Sequence, residues 1–161
     1  QALLRSISEV APLAARLGVR LALENRYYTN EIPWPDELAV TLERFRDLGV
    51  GYWHDVGHAQ SLDALGIYGH EEWLRRFEDD LVGVHLHDVG GLSDHKAPGL
   101  GAVDLAMVRR HLGDGVIRVC EVASFNTSEQ IRAGLELLTR LSFFESRQYC
   151  CAGEADRSRQ R

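Results

Sequence analysis

Cysteine is scarce in this sequence. Three residues, Cys120, Cys150 and Cys151, are too few and odd in number for a disulfide framework, and they suit a reducing cytoplasm. Positive charge is also short: 18 Lys and Arg face 24 Asp and Glu, for a formal charge of −6. A nucleic-acid partner is therefore disfavoured, because gathering phosphates relies on a basic field. No apolar run has the length of a membrane span, so no membrane partner is expected. What remains, with 45% hydrophobic and 26% charged residues, is the composition of a soluble globular chain rather than a disordered or fibrous one.

The 161 residues suffice for one domain with a real core. "ALLRSISEVAPLAARLG" places Leu3, Leu4, Ile7, Val10, Leu13, Ala14 and Leu17 at helical spacing and stops at Gly18. A chain that opens inside such a helix, without Met, reads as the later part of a larger protein. After Gly18 the pattern alternates. Strand-like "VRLALE" ends at Glu24, and a loop leads to Asp36, a suitable N-cap for the helix "ELAVTLERFRDLG". "VGYWHD" is strand-like and ends at Asp55, and the helix "HEEWLRRFEDD" comes later. "LVGVHLHD" carries His85 and His87, and the long loop "VGGLSDHKAPGLGAVD" feeds the helix "LAMVRRHLGDG". "VIRVCE" ends at Glu121, and "TSEQIRAGLELLTRL" opens with Thr127 and Gln130 at capping-box spacing. Four strand–helix units in succession predict an α/β fold, a parallel sheet covered by helices. They occupy residues 1–141. Residues 142–161 have no sustained period and end highly polar, so a disordered tail is expected there.

Parallel strands end on one face, and that is where such folds place their sites. Here the strands end at Glu24, Asp55, the His85/His87 pair and Glu121. Burying three carboxylates together is unfavourable without a cation. A divalent metal removes that penalty, and three oxygens with one imidazole nitrogen suit Mn2+, Mg2+ or Co2+, with Zn2+ also admissible. Each residue has a plainer reading when taken singly. Asp55 could cap the turn before Gly57, Glu24 and Glu121 could be solvent-facing strand ends, and His85 a hydrogen-bonded core histidine. Four strands ending alike favour one site. His54, next to Asp55, points to the opposite face by strand alternation and takes a structural role. His70 and His111, at helix borders, are expected to be solvated.

The segments "LALEN", "DVGH", "VHLHD", "DHKAPGLGAVD" and "VCE", in that order over roughly residues 1–140, resemble the xylose isomerase-like TIM barrel superfamily. Its members include sugar phosphate isomerases/epimerases and the apurinic endonucleases. The resemblance implies that this chain holds the last four strand–helix units of a (β/α)8 barrel, completed by a missing N-terminal half-barrel or by a homo-oligomer. It implies Glu24, Asp55, His85 and Glu121 as ligands of a single divalent metal, with His85 ahead of His87 because the ligand stands three before Asp88. It further implies His58, His87 and His95 as substrate contacts, with His87 also the reserve candidate for the metal ligand.

The implied activity is that of a divalent-metal-dependent isomerase or epimerase of a sugar or sugar phosphate. A metal chelating adjacent carbonyl and hydroxyl oxygens stabilises the enediolate formed when a neighbouring proton leaves. Glu24 and Glu121 would remove and return that proton. Lys96 and the Gly99–Leu100–Gly101 turn are candidates for holding a substrate phosphate. An apurinic/apyrimidinic endonuclease-like zinc phosphodiesterase is the rival, permitted by His58, His85 and His95. The acidic balance opposes it, and so does Ser93, which stands where the endonucleases place an Asp, with Asp94 one position late. An inactive fragment is the remaining alternative, since a half-barrel leaves two sheet edges unpaired.

Overall fold

The computed structural model describes residues 1–28, 30–91 and 93–144. Helix α1 (Ala2–Arg16) buries Ala11 and Ala14, with Leu4 and Ile7 packed on the core. It is stopped at Gly18, whose φ of +68° is left-handed, a conformation glycine adopts without a Cβ clash. Strand β1 (Leu21–Glu24) follows. Helix α2 (Pro35–Phe45) is capped by Trp34 rather than by Asp36, because Pro35 takes the first helical position, where a missing N–H is no loss. The Glu37 carboxylate accepts from the Trp34 amide at 2.9 Å. A 3-10 turn over Arg46–Leu48 then leads through Gly49 into β2 (Val50–Asp55).

Two elements depart from the sequence expectation. Directly after β2, "VGHAQSLDA" forms helix α3 (Val56–Ala64). Its buried residues, Val56, Gly57, His58, Ala59 and Leu62, do not make the one apolar stripe by which helices are recognised. The Asp55 carboxylate starts it by accepting from the His58 amide at 2.8 Å. Helix α4 (His70–Phe77) and a 3-10 turn (Glu78–Asp80) lead to β3 (Leu81–Leu86). The long loop beyond then contains an antiparallel hairpin, β4 (Asp88–Gly90) and β5 (Ser93–Lys96), with Asp88 opposite Lys96. Helix α5 (Leu105–Arg110), strand β6 (Ile117–Cys120) and helix α6 (Ser128–Arg140) complete the order. Helix α6 opens on the expected Thr127–Gln130 reciprocal cap.

The main sheet runs β1–β2–β3–β6, all parallel. On its helix side Tyr52, Val84 and Leu86 are buried with Leu38, Leu42, Trp73, Leu74, Phe77 and Leu138. Phe143 lies in the same core, so packing continues past Leu141. The rest of the expected tail, 145–161, lies outside the described residues. On the opposite face Trp53, Ile117 and Val119 are partly or largely open, the last two 47% and 37% exposed. Register pairs Glu24 with Trp53, and His85 with both Asp55 and Val119. The pleat therefore carries the chemistry-bearing strand ends onto that open face. Among the described residues no helix is long and apolar enough to cross a membrane.

Candidate metal centre

His85 stands at the middle of the site. Its Nδ1 lies 3.1 Å from Glu121 Oε2, 3.5 Å from Asp55 Oδ2 and 3.8 Å from Glu24 Oε1. The four residues chosen as ligands from the sequence are thus brought together. One donor atom each from Glu24, Asp55 and His85 falls within 4.8 Å of the others. Asp55 is fully buried at the base. Glu24 and Glu121 approach from β1 and from the end of β6, the two outer strands, with side chains 30% and 44% exposed.

Burial opposes charge throughout this group, and mutual pairing outweighs it. Burial pushes Glu24 up, but the neighbouring imidazoles of His58 and His85 hold it at about 2. Burial likewise works against the Asp55 carboxylate, while His85 and His87 keep it far below the usual carboxylate range. Burial disfavours the imidazolium of His85, yet Asp55 and Glu24 raise it to about 9. Despite these neighbours, His85 Nδ1 is buried without a well-aligned hydrogen bond. Donors arranged around a shared centre, rather than aimed at one another, fit a divalent cation, which would displace the His85 proton on binding.

The xylose isomerase-like TIM barrel family matches residues 1–141. The chain belongs to that family. The chain superposes on a D-tagatose 3-epimerase-like protein at 21% identity and a TM-score of 0.68, covering 86% of this chain and 52% of that one. An E. coli 3-keto-D-glucoside 4-epimerase gives 21% and 0.63, covering 85% and 52%. A D-psicose 3-epimerase from Clostridium cellulolyticum H10, solved with D-tagatose, gives 16% and 0.67, covering 86% and 54%. The chain spans about half the length of these solved structures, and at such identities they establish the fold. No curated protein matches.

Within this half of a xylose isomerase-like barrel, a second donor group adjoins the first. Atoms of Asp55, His87 and His95 also lie within 4.8 Å of one another. His87 Nε2 is 3.0 Å from both Asp55 oxygens, its Nδ1 is 3.2 Å from Asp94, and its ring stacks on His95 at 4.3 Å. His87 was expected to touch substrate. It has no exposed surface, and it instead orients the Asp55 carboxylate. Burial works against its positive charge, but Asp55 and Asp94 raise it to about 10.

Asp94, set aside in the sequence as one position late, does join the centre. It lies 3.3 Å from His95 and 3.9 Å from His58. His95 has φ +55°, which breaks the strand alternation that would send neighbouring side chains to opposite faces. His95 is 30% exposed, with Nε2 3.7 Å from Glu121. Gly57 makes room for this group, because a Cβ there would run into His87 and Asp94.

The barrel's supporting residues were the least visible beforehand. Asn25 is fully buried. Its Nδ2 donates to the Asp55 carbonyl at 3.0 Å, and its Oδ1 accepts from the Asp55 amide at 2.8 Å and the Tyr52 hydroxyl at 3.0 Å. His58 Nδ1 sits 2.9 Å from the Asn25 carbonyl and 3.3 Å from Glu24, and the Tyr27 ring stands 4.7 Å from the His58 ring. His58, expected as a substrate contact, is only 3% exposed and lies beneath Tyr27 rather than open. Asn126 donates to the His95 carbonyl at 2.9 Å and accepts from the Ala97 amide at 2.7 Å, tying the hairpin to the segment after β6.

Three expectations need correction. His70 is buried rather than solvated: it meets His54 Nε2 at 3.0 Å, and burial lowers it to about 4. His111 is paired with Glu78 at 2.8 Å. The Gly99–Leu100–Gly101 turn offers no phosphate cradle, since the amides of Gly99 and Val103 already donate to the Asp88 carboxylate at 2.9 and 3.0 Å. Lys96, the only lysine of the chain, lies across the hairpin, its Nζ 2.8 Å from where a Cβ of Gly90 would stand. His54 keeps its expected place on the opposite face, held by the Tyr52 hydroxyl at 2.7 Å.

Proposed function

We propose that the chain supplies the metal-binding half of a divalent-metal-dependent sugar isomerase or epimerase, closed by a second half-barrel. The observation that carries this reading is the convergence of Glu24, Asp55 and Glu121 on His85 Nδ1. The sugar epimerases among similar folds support it. Glu24, Asp55, His85 and Glu121 would hold one Mn2+, Mg2+, Co2+ or Zn2+ ion. When bound, such a cation supplies positive charge beside the substrate oxygens that become negative as a proton is removed.

The remaining chemistry belongs to the chain. Glu24 and Glu121, on opposite flanks, would act as a pair, one taking a proton from the carbon beside the carbonyl and the other returning it. Buried Asp55 holds position, fixed by His87 and Asn25. His58 and His95 border the substrate. Four carboxylates crowd this surface and Asp88 occupies the glycine turn, so a neutral sugar suits it better than a phosphorylated one. The low cysteine content agrees with a cytoplasmic setting.

A second reading rests on one observation: Asp94 joins His58, His87 and His95 next to Asp55, a donor set that also suits a zinc phosphodiesterase holding more than one ion. Incubating the full-length protein with a keto-sugar panel in D2O, and separately with abasic-site DNA, separates the two. Deuterium entering a sugar supports the isomerase. Strand scission without exchange overturns it.

A further inference from the structure

Beside the metal centre lies a cavity of about 520 Å³ between the segment after β1, helix α3 and the hairpin. It shares two residues with the centre. Asp94 lines it while touching His58, His87 and His95. Tyr27 lines it while covering His58. The opposite wall is mostly apolar, with Ala64, Leu65, Val89 and Ala102 beside the polar Gln60 and Ser61 of helix α3, and Leu65 is 70% exposed. Tyr28 continues the aromatic side, its ring 4.3 Å from that of Tyr27.

We infer that this cavity is a subsite for an apolar, preferably aromatic, aglycone, so that the substrate class is a neutral glycoside bearing a ring ketone, whose neighbouring C–H is the acidic one, rather than a free or phosphorylated sugar. This rests on a sugar occupying the neighbouring centre. A free sugar carries a hydroxyl on nearly every carbon, more than Gln60, Ser61 and Asp94 can partner, and those pressed against the aliphatic part of the wall would be left unpaired. A phosphate at this end would meet the Asp94 carboxylate. An aryl group buries its faces against Tyr27, Tyr28 and Leu65 and needs no partner at its edge. The size agrees, since cavities of about 300–1,000 Å³ enclose ligands larger than a single sugar ring. The amphipathic occupant thus keeps its sugar at the carboxylates and its aglycone on the tyrosines.

The test is calorimetric titration of the full-length protein with phenyl and methyl β-D-glucopyranoside and with phenol, in the presence of Mn2+. The phenyl glycoside is expected to bind at least tenfold more tightly than either of the others. Ala64→Trp, at an exposed helix position, fills the cavity and should abolish that preference while leaving Mn2+ binding unchanged. Equal affinities, no saturable binding of the phenyl glycoside, or an Ala64→Trp variant that keeps the preference would each overturn the inference. Titrating Mn2+ in the same samples reads the centre separately: a parent protein that binds metal but shows no aryl preference sinks the subsite alone, and a parent protein that binds no metal sinks the metal-enzyme reading.

Discussion

Replacing Asn25 by Ala removes a side chain that makes three hydrogen bonds in a fully buried position, two to the main chain of Asp55 and one from Tyr52. The Tyr52 hydroxyl keeps His54 as a partner, but the Asp55 N–H and C=O lose theirs. A buried polar group left unpaired costs about 1–3 kcal/mol, so the two together predict a destabilisation of about 2–6 kcal/mol. Denaturant unfolding of the full-length protein measures it. The same change frees the segment that aims Asp55 at the centre, and the Mn2+ dissociation constant should rise by about tenfold, or about 1.4 kcal/mol. Leu138→Ala, in the core on the far side of the sheet, is the control. It should cost about 2–5 kcal/mol through its cavity and leave metal affinity alone. An Asn25→Ala protein within about 0.5 kcal/mol of the parent, a change too small for an orphaned buried amide, would refute the reasoning. So would equal loss of metal affinity in both variants.

Other consequences are open to direct measurement. Because burial lowers His70 from 6.5 to about 4, the unfolded chain binds this proton first as pH falls. Its contribution is complete above about pH 6.5 and is lost towards pH 4, worth about 3 kcal/mol. The difference in unfolding free energy between the parent and His70→Asn should follow that window, and a pH-independent difference would contradict it. Gly57→Ala drives a Cβ into His87 and Asp94, with an overpacking penalty of about 1–3 kcal/mol and weakened Mn2+ binding; unchanged affinity by titration would show that His87 does not orient Asp55. Light scattering on the isolated chain should find association, because β1 and β6 are sheet edges and Ile117 and Val119 are open. A monodisperse, cooperatively melting monomer would argue otherwise.

Much of the frame was legible because it rests on local signals. Gly18 and Gly49 ended their helical segments as anticipated, Thr127 and Gln130 formed their reciprocal cap, and Glu24, Asp55, His85 and Glu121 met because parallel strands end on a common side. Helix α3 escaped notice since Val56, Gly57, His58 and Ala59 are all buried and leave no amphipathic stripe. The hairpin escaped because its pairing is only a few residues long. Asn25 stood inside a recognised segment, but its role depends on contacts 27 and 30 residues away, which no local pattern encodes. Asp94 was discounted by counting positions, whereas the left-handed backbone at His95 decides where its side chain points. His70 looked solvated from its place at a helix start, and only tertiary packing against His54 buries it.

The most direct test of the metal centre is an anomalous-difference map at the manganese edge from crystals of the full-length protein grown with Mn2+. One strong peak per chain is expected, within coordinating distance of Glu24, Asp55, His85 and Glu121. A peak held instead by Asp55, His87 and His95, with none at His85, would contradict it.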